Sequence, residues 1–129
     1  MIAVGWQKAE GALVALAGIG IAVAVQPGWP WWVWPLILLA PDLAMAGYAA
    51  GPRIGAATYN AAHLYGTGLL LAVLGVVTGQ TLLIAFGGMW LAHVGIDRTL
   101  GYGLKSPEGF QITHLGRIGR DRGNQPPGA

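Results

Sequence analysis

The chain has 129 residues, of which 54% are hydrophobic and only 9% are charged, and its formal net charge is +2. This balance is too apolar for an ordinary soluble domain and is typical of a protein that crosses a membrane several times. Because cysteine is absent, disulfides, iron–sulfur clusters, thiolate metal sites and covalently attached haem are excluded. A single serine, Ser106, argues against a serine-nucleophile hydrolase.

Four apolar segments have the length of about 20 residues that a bilayer span requires. In chain order they lie at 9–26, 31–50, 54–77 and 80–101. The first resembles a signal peptide, but Glu10 near its start favours a retained helix. The predicted fold is therefore an all-α integral membrane bundle of four transmembrane helices over residues 1–105. A polar, basic tail follows over residues 106–129.

The basic residues lie before the first segment, between the second and third, and at or after the end of the fourth. They are Lys8, Arg53, Arg98, Lys105, Arg117, Arg120 and Arg122. Because short cytoplasmic loops are enriched in Lys and Arg, this distribution places both termini in the cytoplasm. We expect a multi-pass protein of the bacterial cytoplasmic (inner) membrane. It has membrane lipids, but no nucleic acid, among its partners.

Polar residues interrupt the last three segments at similar depth. They are Asp42 in the second, Asn60 and His63 in the third, and His93 and Asp97 in the fourth. At 1.5 Å per residue, they lie roughly 6–15 Å from the cytoplasmic ends of their segments. An ionisable group at the bilayer centre costs about 2.5–3.5 kcal/mol on insertion scales, so several at one level suggest a shared site.

The spacing of these residues favours a metal site. His93 and Asp97 are four residues apart and share one helix face, and Asp42 and His63 complete a set of two imidazoles and two carboxylates. Such a set suits zinc, manganese or iron. Asn60 is then a candidate for orienting water or substrate. Arg53 and Arg98 are candidates for holding the headgroup of a lipid-borne substrate.

Three alternatives stay open at this stage. His63 and His93 could be axial ligands of a haem or chlorin cofactor, or the His/Asp array could relay protons. The polar residues could also be interhelical hydrogen-bonding groups in a non-catalytic accessory subunit of a larger membrane complex. Small-residue helix faces make a homo-oligomer a further expectation. Whether the chain is an enzyme is left undecided by these patterns.

Three further residues carry weaker signals. Glu10 is expected to be an interfacial residue, and a minor alternative makes it a fifth member of the site. His114 in the tail is expected to be exposed, although it could fold back over the mouth of the site. Pro41, directly before Asp42, predicts a kink, which is either an ordinary proline kink of a membrane helix or one that aims this carboxylate into a cavity.

Sequence motifs link these residues to one family. They are Pro41-Asp42-Leu43 with Gly47-Tyr48, Gly51-Pro52-Arg53, Tyr59-Asn60 with His63, His93 with Asp97-Arg98 and Gly101-Tyr102-Gly103-Leu104-Lys105, and Thr113-His114-Leu115-Gly116. The pattern resembles an uncharacterised family of small bacterial membrane proteins, a domain of unknown function, and covers the chain up to Gly119. The resemblance implies a four-span architecture and supplies no activity.

Overall fold

The computed structural model describes residues 2–119, and most of them lie in helices. In chain order these are α1 (Ile2–Ala24), α2 (Val33–Leu39), a 3-10 helix (Ala40–Ala50), α3 (Pro52–Ala62), α4 (Tyr65–Thr78) and α5 (Thr81–Leu100). Three short strands follow, β1 (Lys105–Ser106), β2 (Gly109–Thr113) and β3 (Gly116–Arg117). The predicted segments at 9–26 and 80–101 thus correspond to single helices, whereas the other two are each divided.

The segment predicted at 31–50 changes from α-helix to 3-10 helix at its middle. The change falls at Pro41, which has no N–H to donate and interrupts the α-helical ladder. A 3-10 run of 11 residues is uncommon, because its hydrogen bonds are poorly aligned. Thr58 of α3 supports this run from the side, donating its hydroxyl to the carbonyl of Ala44 at 3.0 Å.

The segment predicted at 54–77 is broken at His63, where α3 ends, and α4 continues at an angle of 46°. The segment predicted at 54–77 is therefore a bent pair of helices rather than one straight helix, and the pair can still be counted as one span. At the break, side chains replace backbone N–H groups as hydrogen-bond donors to two carbonyls. Thr67 donates its hydroxyl to the carbonyl of Ala61 at 2.5 Å, and Trp90 donates its indole N–H to that of Ala62 at 2.6 Å.

Two helical stretches are long and apolar enough to cross a membrane, Ile2–Ala24 and Val33–Ala50. The bent pair of α3 and α4 raises the number to three if it is counted as one span. Within the described residues, α5 is not among these candidates, since it contains His93, Asp97 and Arg98. Many large apolar side chains are exposed on the outer helix faces, which is expected of a surface in contact with lipid.

Helix α5 lies at the centre of the helical part and packs against α1, α4 and α2. Small residues bring the backbones together. Gly18 of α1 lies directly against the backbone of Gly88 and Ala92, and Gly68 of α4 lies against Leu91. Such small-residue contacts are the usual means of helix association in lipid. They place the polar end of α5 inside the bundle.

The tail departs from the all-α prediction. Strands β1, β2 and β3 form an antiparallel sheet in that order, and the sheet packs on α3. Strands of two to five residues give too short an alternating pattern to be recognised in a sequence. Arg120 and Arg122 of the predicted basic tail lie outside the described residues.

The close contact of α1 with α5 can be tested with two glycines of the same helix. A methyl group at Gly18 would overlap the backbone of α5, whereas one at Gly20 would meet nothing within 4 Å. We expect Gly18→Ala to lower the free energy of unfolding by about 1–3 kcal/mol, as overpacking does. Gly20→Ala serves as the matched control and should raise it by up to about 1 kcal/mol, because alanine is the better helix former. Thermal unfolding in mild detergent, followed by circular dichroism, measures both; equal stabilities would contradict the packing.

Candidate metal centre

Four side chains from three helical elements converge at one point. Asp42 comes from the 3-10 helix, His63 from the residue that ends α3, and His93 and Asp97 from successive turns of α5. One ligand atom from each lies within 4.8 Å of all the others. The structure thus brings together the four residues that the sequence suggested as metal ligands.

The spacing of these atoms matches a single small ion. His63 Nε2 lies 3.1 Å from His93 Nε2, and both nitrogens lie 3.3 Å from Asp42 Oδ1. Asp97 Oδ2 lies 3.6 Å from His63 Nε2 and 3.5 Å from His93 Nε2. A tetrahedral zinc ion with bonds of about 2.0–2.2 Å holds its ligand atoms about 3.3–3.6 Å apart. Four of the five distances lie in this range, and the distance between the two histidine nitrogens is slightly shorter.

A carbonyl one turn earlier on α3 fixes the orientation of His63. Its Nδ1 lies 2.8 Å from the carbonyl oxygen of Tyr59. A carbonyl can only accept, so Nδ1 carries the proton and the lone pair of Nε2 points at the other ligands. A backbone acceptor behind a metal-binding imidazole is the usual arrangement.

His93 lies beside the backbone of the second segment, where Leu38 interacts with its imidazole. In a 3-10 ladder the carbonyl of Leu38 would accept from residue 41, but Pro41 has no N–H. The proline therefore leaves a carbonyl free beside the imidazole. The Nε2 atoms of His63 and His93 lie next to each other and to the carboxylates of Asp42 and Asp97.

Tyr59 supports two of the four side chains, and sequence reasoning missed it. Its ring stacks on the His63 imidazole with centroids 3.7 Å apart, and its hydroxyl donates to Asp97 Oδ2 at 3.4 Å. The signal was present in the spacing, because a residue four positions before His63 on a helix lies on the same face. Tyr59 is a positioning residue for both ligands.

Arg98 has a different position from that expected of a headgroup-binding residue. It is buried, and its guanidinium donates to the carbonyls of His63 and Tyr102, both at 2.7 Å. It therefore joins the helix break to the turn after α5. Arg53, the other candidate, is exposed at the start of α3, ten residues before His63.

Asn60 connects the centre to the sheet. Its side-chain amide donates to the carbonyl of Lys105 at 2.8 Å and accepts from the N–H of Lys105 at 2.6 Å. The pair imitates the exchange between two neighbouring strands and attaches β1 to α3. Asn60 thus lies one helical turn from His63 without joining the four ligand atoms.

Lys105 is the second residue that sequence reasoning missed. It is only 4% exposed, and its ammonium lies 3.9 Å from the centre of the Phe110 ring and 5.1 Å from that of Tyr59. Burial lowers the pKa of Lys105, while the charges of Asp97 and Asp42 oppose this shift. The sequence alone identifies Lys105 only as one of the basic residues expected on the cytoplasmic side.

The remaining candidates lie away from the four ligand atoms. Glu10 is exposed on α1. His114 is exposed in the turn between β2 and β3, and its Nδ1 accepts from the N–H of Leu104 at 2.8 Å. It closes the sheet against the end of the helical part.

Comparison with known families identifies the chain. A model described as "Domain of unknown function (DUF4260)" matches residues 5–118. The chain belongs to this family. No curated protein and no solved structure matches it. For this DUF4260 protein, functional reasoning therefore depends on the site itself.

The sheet contact of His114 predicts a pH dependence. Burial, and to a lesser extent the charge of Arg98, lower the pKa of His114 from its ordinary value of about 6.5. The folded form then binds fewer protons than the unfolded form, so this contribution to stability is present above about pH 6.5 and is lost as the pH falls through the lowered pKa. We expect the amide NMR resonance of Leu104 to move upfield on acidification, as its hydrogen bond to Nδ1 breaks.

His114→Asn is the matched variant, because its side-chain oxygen accepts the same hydrogen bond and does not titrate. In this variant the Leu104 resonance should not respond to pH between 7.5 and 5. A wild-type resonance that stays fixed over this range would contradict the assigned bond.

Proposed function

We propose that this protein binds a divalent transition-metal ion through Asp42, His63, His93 and Asp97. The observation that carries the proposal is that four electron-pair donors converge within 4.8 Å. His63 uses its Nδ1 proton for a backbone carbonyl, which leaves the lone pair of its Nε2 for a metal ion. Two carboxylates at one site repel each other in a low-dielectric interior, and a bound cation removes this repulsion.

We further propose a four-span bundle with both termini in the cytoplasm, in the bacterial inner membrane. The fourth span is α5, whose polar residues face the other helices rather than lipid. Ten of its residues are buried, among them His93 and Arg98. The positions of Lys8, Arg53 and Lys105 agree with this orientation.

The two imidazoles and two carboxylates suit only some metal ions, and the role of the site depends on whether the ion can bind a further ligand. Zinc with four protein ligands forms a closed tetrahedral site, which is typical of a structural role. Manganese, iron or five-coordinate zinc leave room for a further ligand. Asp42 marks the open side, since its side chain is 41% exposed, against 0% for His63.

We infer an enzyme that acts on a lipid-borne substrate at this open side. A bound metal supplies an activated water or a polarised carbonyl or phosphoryl oxygen. The chain's own residues orient the centre: Tyr59 holds His63 and Asp97, and Arg98 fixes the backbone of His63. Asn60 holds the sheet beside the site.

A haem or chlorin fits this geometry less well. Two axial nitrogens bind on opposite faces of the macrocycle, which must lie between them. The Nε2 atoms of His63 and His93 are only 3.1 Å apart, and two carboxylate oxygens lie within 3.6 Å of them. A single ion fits this space.

One observation favours the accessory-subunit alternative. An apolar groove of about 340 Å³ runs between α1 and α5, lined by Ala12, Ala15, Leu16, Ile19, Ile96, Thr99 and Leu100. A partner helix or a lipid chain would fill it. Under this alternative the protein purifies with a stoichiometric partner and without metal.

Metal content per chain, measured on protein purified in mild detergent, tests the proposal. We expect about one zinc, manganese or iron ion per chain in the wild type, and loss of at least 90% of it in His63→Ala and in His93→Ala, since removal of a ligand weakens binding by orders of magnitude. His114→Ala is the matched control among the three histidines and retains the metal. A metal-free wild type with intact helices, or equal metal in all variants, would overturn the metal centre.

A further inference from the structure

Two cations lie beside the proposed centre without an acidic partner of their own. Arg98 is 5% exposed and Lys105 is 4% exposed. In the described part of the chain, neither forms an ion pair with a carboxylate within 4.0 Å; the ion pairs found there join His63 and His93 to Asp42 and Asp97. Buried cations are costly unless they are paired.

The energetic cost of burying these two cations becomes larger once a metal is bound. The carboxylates of Asp42 and Asp97 interact with Lys105 over a longer distance and offset its charge. A divalent ion cancels both carboxylates, so that Arg98 and Lys105 remain as uncompensated positive charges. An anion at the metal-bound centre would compensate them.

Lys105 is better placed than Arg98 to bind that anion. The two terminal nitrogens of Arg98 already donate to backbone carbonyls. Among residues 2–119, the ammonium of Lys105 lies over the rings of Tyr59 and Phe110, and its three N–H groups can turn to a better acceptor.

Aromatic contacts connect Lys105 to the 3-10 helix that carries Asp42. Phe110, over which its ammonium lies, packs edge-on against Tyr48 with ring centroids 5.4 Å apart. Tyr48 lies six residues after Asp42 on the 3-10 helix, which places both on one face at three residues per turn. The hydroxyl of Tyr48 is buried and has no hydrogen-bond partner among the described residues, so a second donor is unused in the same cluster.

From this arrangement we propose that the metal-bound centre takes an oxyanion, a phosphate or carboxylate group, as its further ligand, and that Lys105 is the residue that binds it. The inference rests on the proposed metal centre and names the substrate class of that site. In this proposal Lys105, rather than Arg53 or Arg98, binds the anionic group. The source of the oxyanion is either a lipid headgroup or a free anion.

Cobalt(II) absorption provides the test, because its visible spectrum reports changes in coordination. Detergent-solubilised protein is loaded with cobalt and titrated with inorganic phosphate. In the wild type we expect a saturable spectral change. In Lys105→Met, which keeps the apolar stem, the apparent Kd for phosphate should rise about tenfold or more, the loss expected for a charge-assisted hydrogen bond. Cobalt stoichiometry should be unchanged.

Two matched variants separate the role of Lys105 from general effects. Arg53→Met removes an exposed cation and should bind phosphate as the wild type does. Lys105→Arg keeps the charge and should retain most of the affinity, which a purely structural role of the aromatic contact would not require. Unchanged helical circular dichroism shows that each variant is folded.

The outcomes distinguish the two levels of the proposal. Cobalt binding without a response to phosphate, or an equal loss of affinity in Lys105→Met and Arg53→Met, overturns the oxyanion site alone. No cobalt binding by the wild type overturns the metal centre as well. Nanodiscs of phosphatidylcholine with and without phosphatidic acid identify the source: a spectral change with phosphatidic acid indicates a lipid headgroup, and a response to inorganic phosphate alone indicates a free anion.

Discussion

The convergence of four electron-pair donors inside a helical bundle is the constraint on which the rest of the structure depends. The carboxylates of Asp42 and Asp97 repel each other unless positive charge lies between them, and this repulsion grows as water is excluded. Nearby contacts hold the groups in place. A backbone carbonyl fixes His63, and Tyr59 fixes Asp97. Such preorganisation is characteristic of a site that binds an ion, because a bundle held only for stability would gain more from apolar residues.

The two irregular helices both occur at ligand residues. Pro41 interrupts the α-helical ladder directly before Asp42, and α3 ends at His63. At that break Trp90 and Arg98 donate to the carbonyls of Ala62 and His63. Irregular backbone within a membrane-type bundle is thus concentrated where ligands are needed.

Sequence reasoning predicted the helical character and grouped the four candidate ligands from depth and spacing alone. The sequence-based prediction failed at features that have no distinctive residues near them in the chain. The apolar run continues past His63, so the break was invisible, and strands as short as β1 cannot be distinguished from a turn. Tyr59 and Lys105 were overlooked because an aromatic and a basic residue near a membrane surface have ordinary explanations. Their roles arise from contacts between segments distant in the chain, which single-helix patterns do not contain.

The polarity of α5 has a consequence for biosynthesis. Within the described residues, α5 is not among the helices apolar enough to cross a membrane by length and composition, yet it is the one that α1, α2 and α4 surround. In the proposed four-span arrangement, α1, α2 and α4 are synthesised before α5 and are already in the bilayer when α5 leaves the ribosome. Insertion of the last helix is then an assembly step, in which Gly87, Gly88 and Gly95 dock onto surfaces already present. Because α5 comes last among the helices, this polar helix can pack against helices that are already inserted.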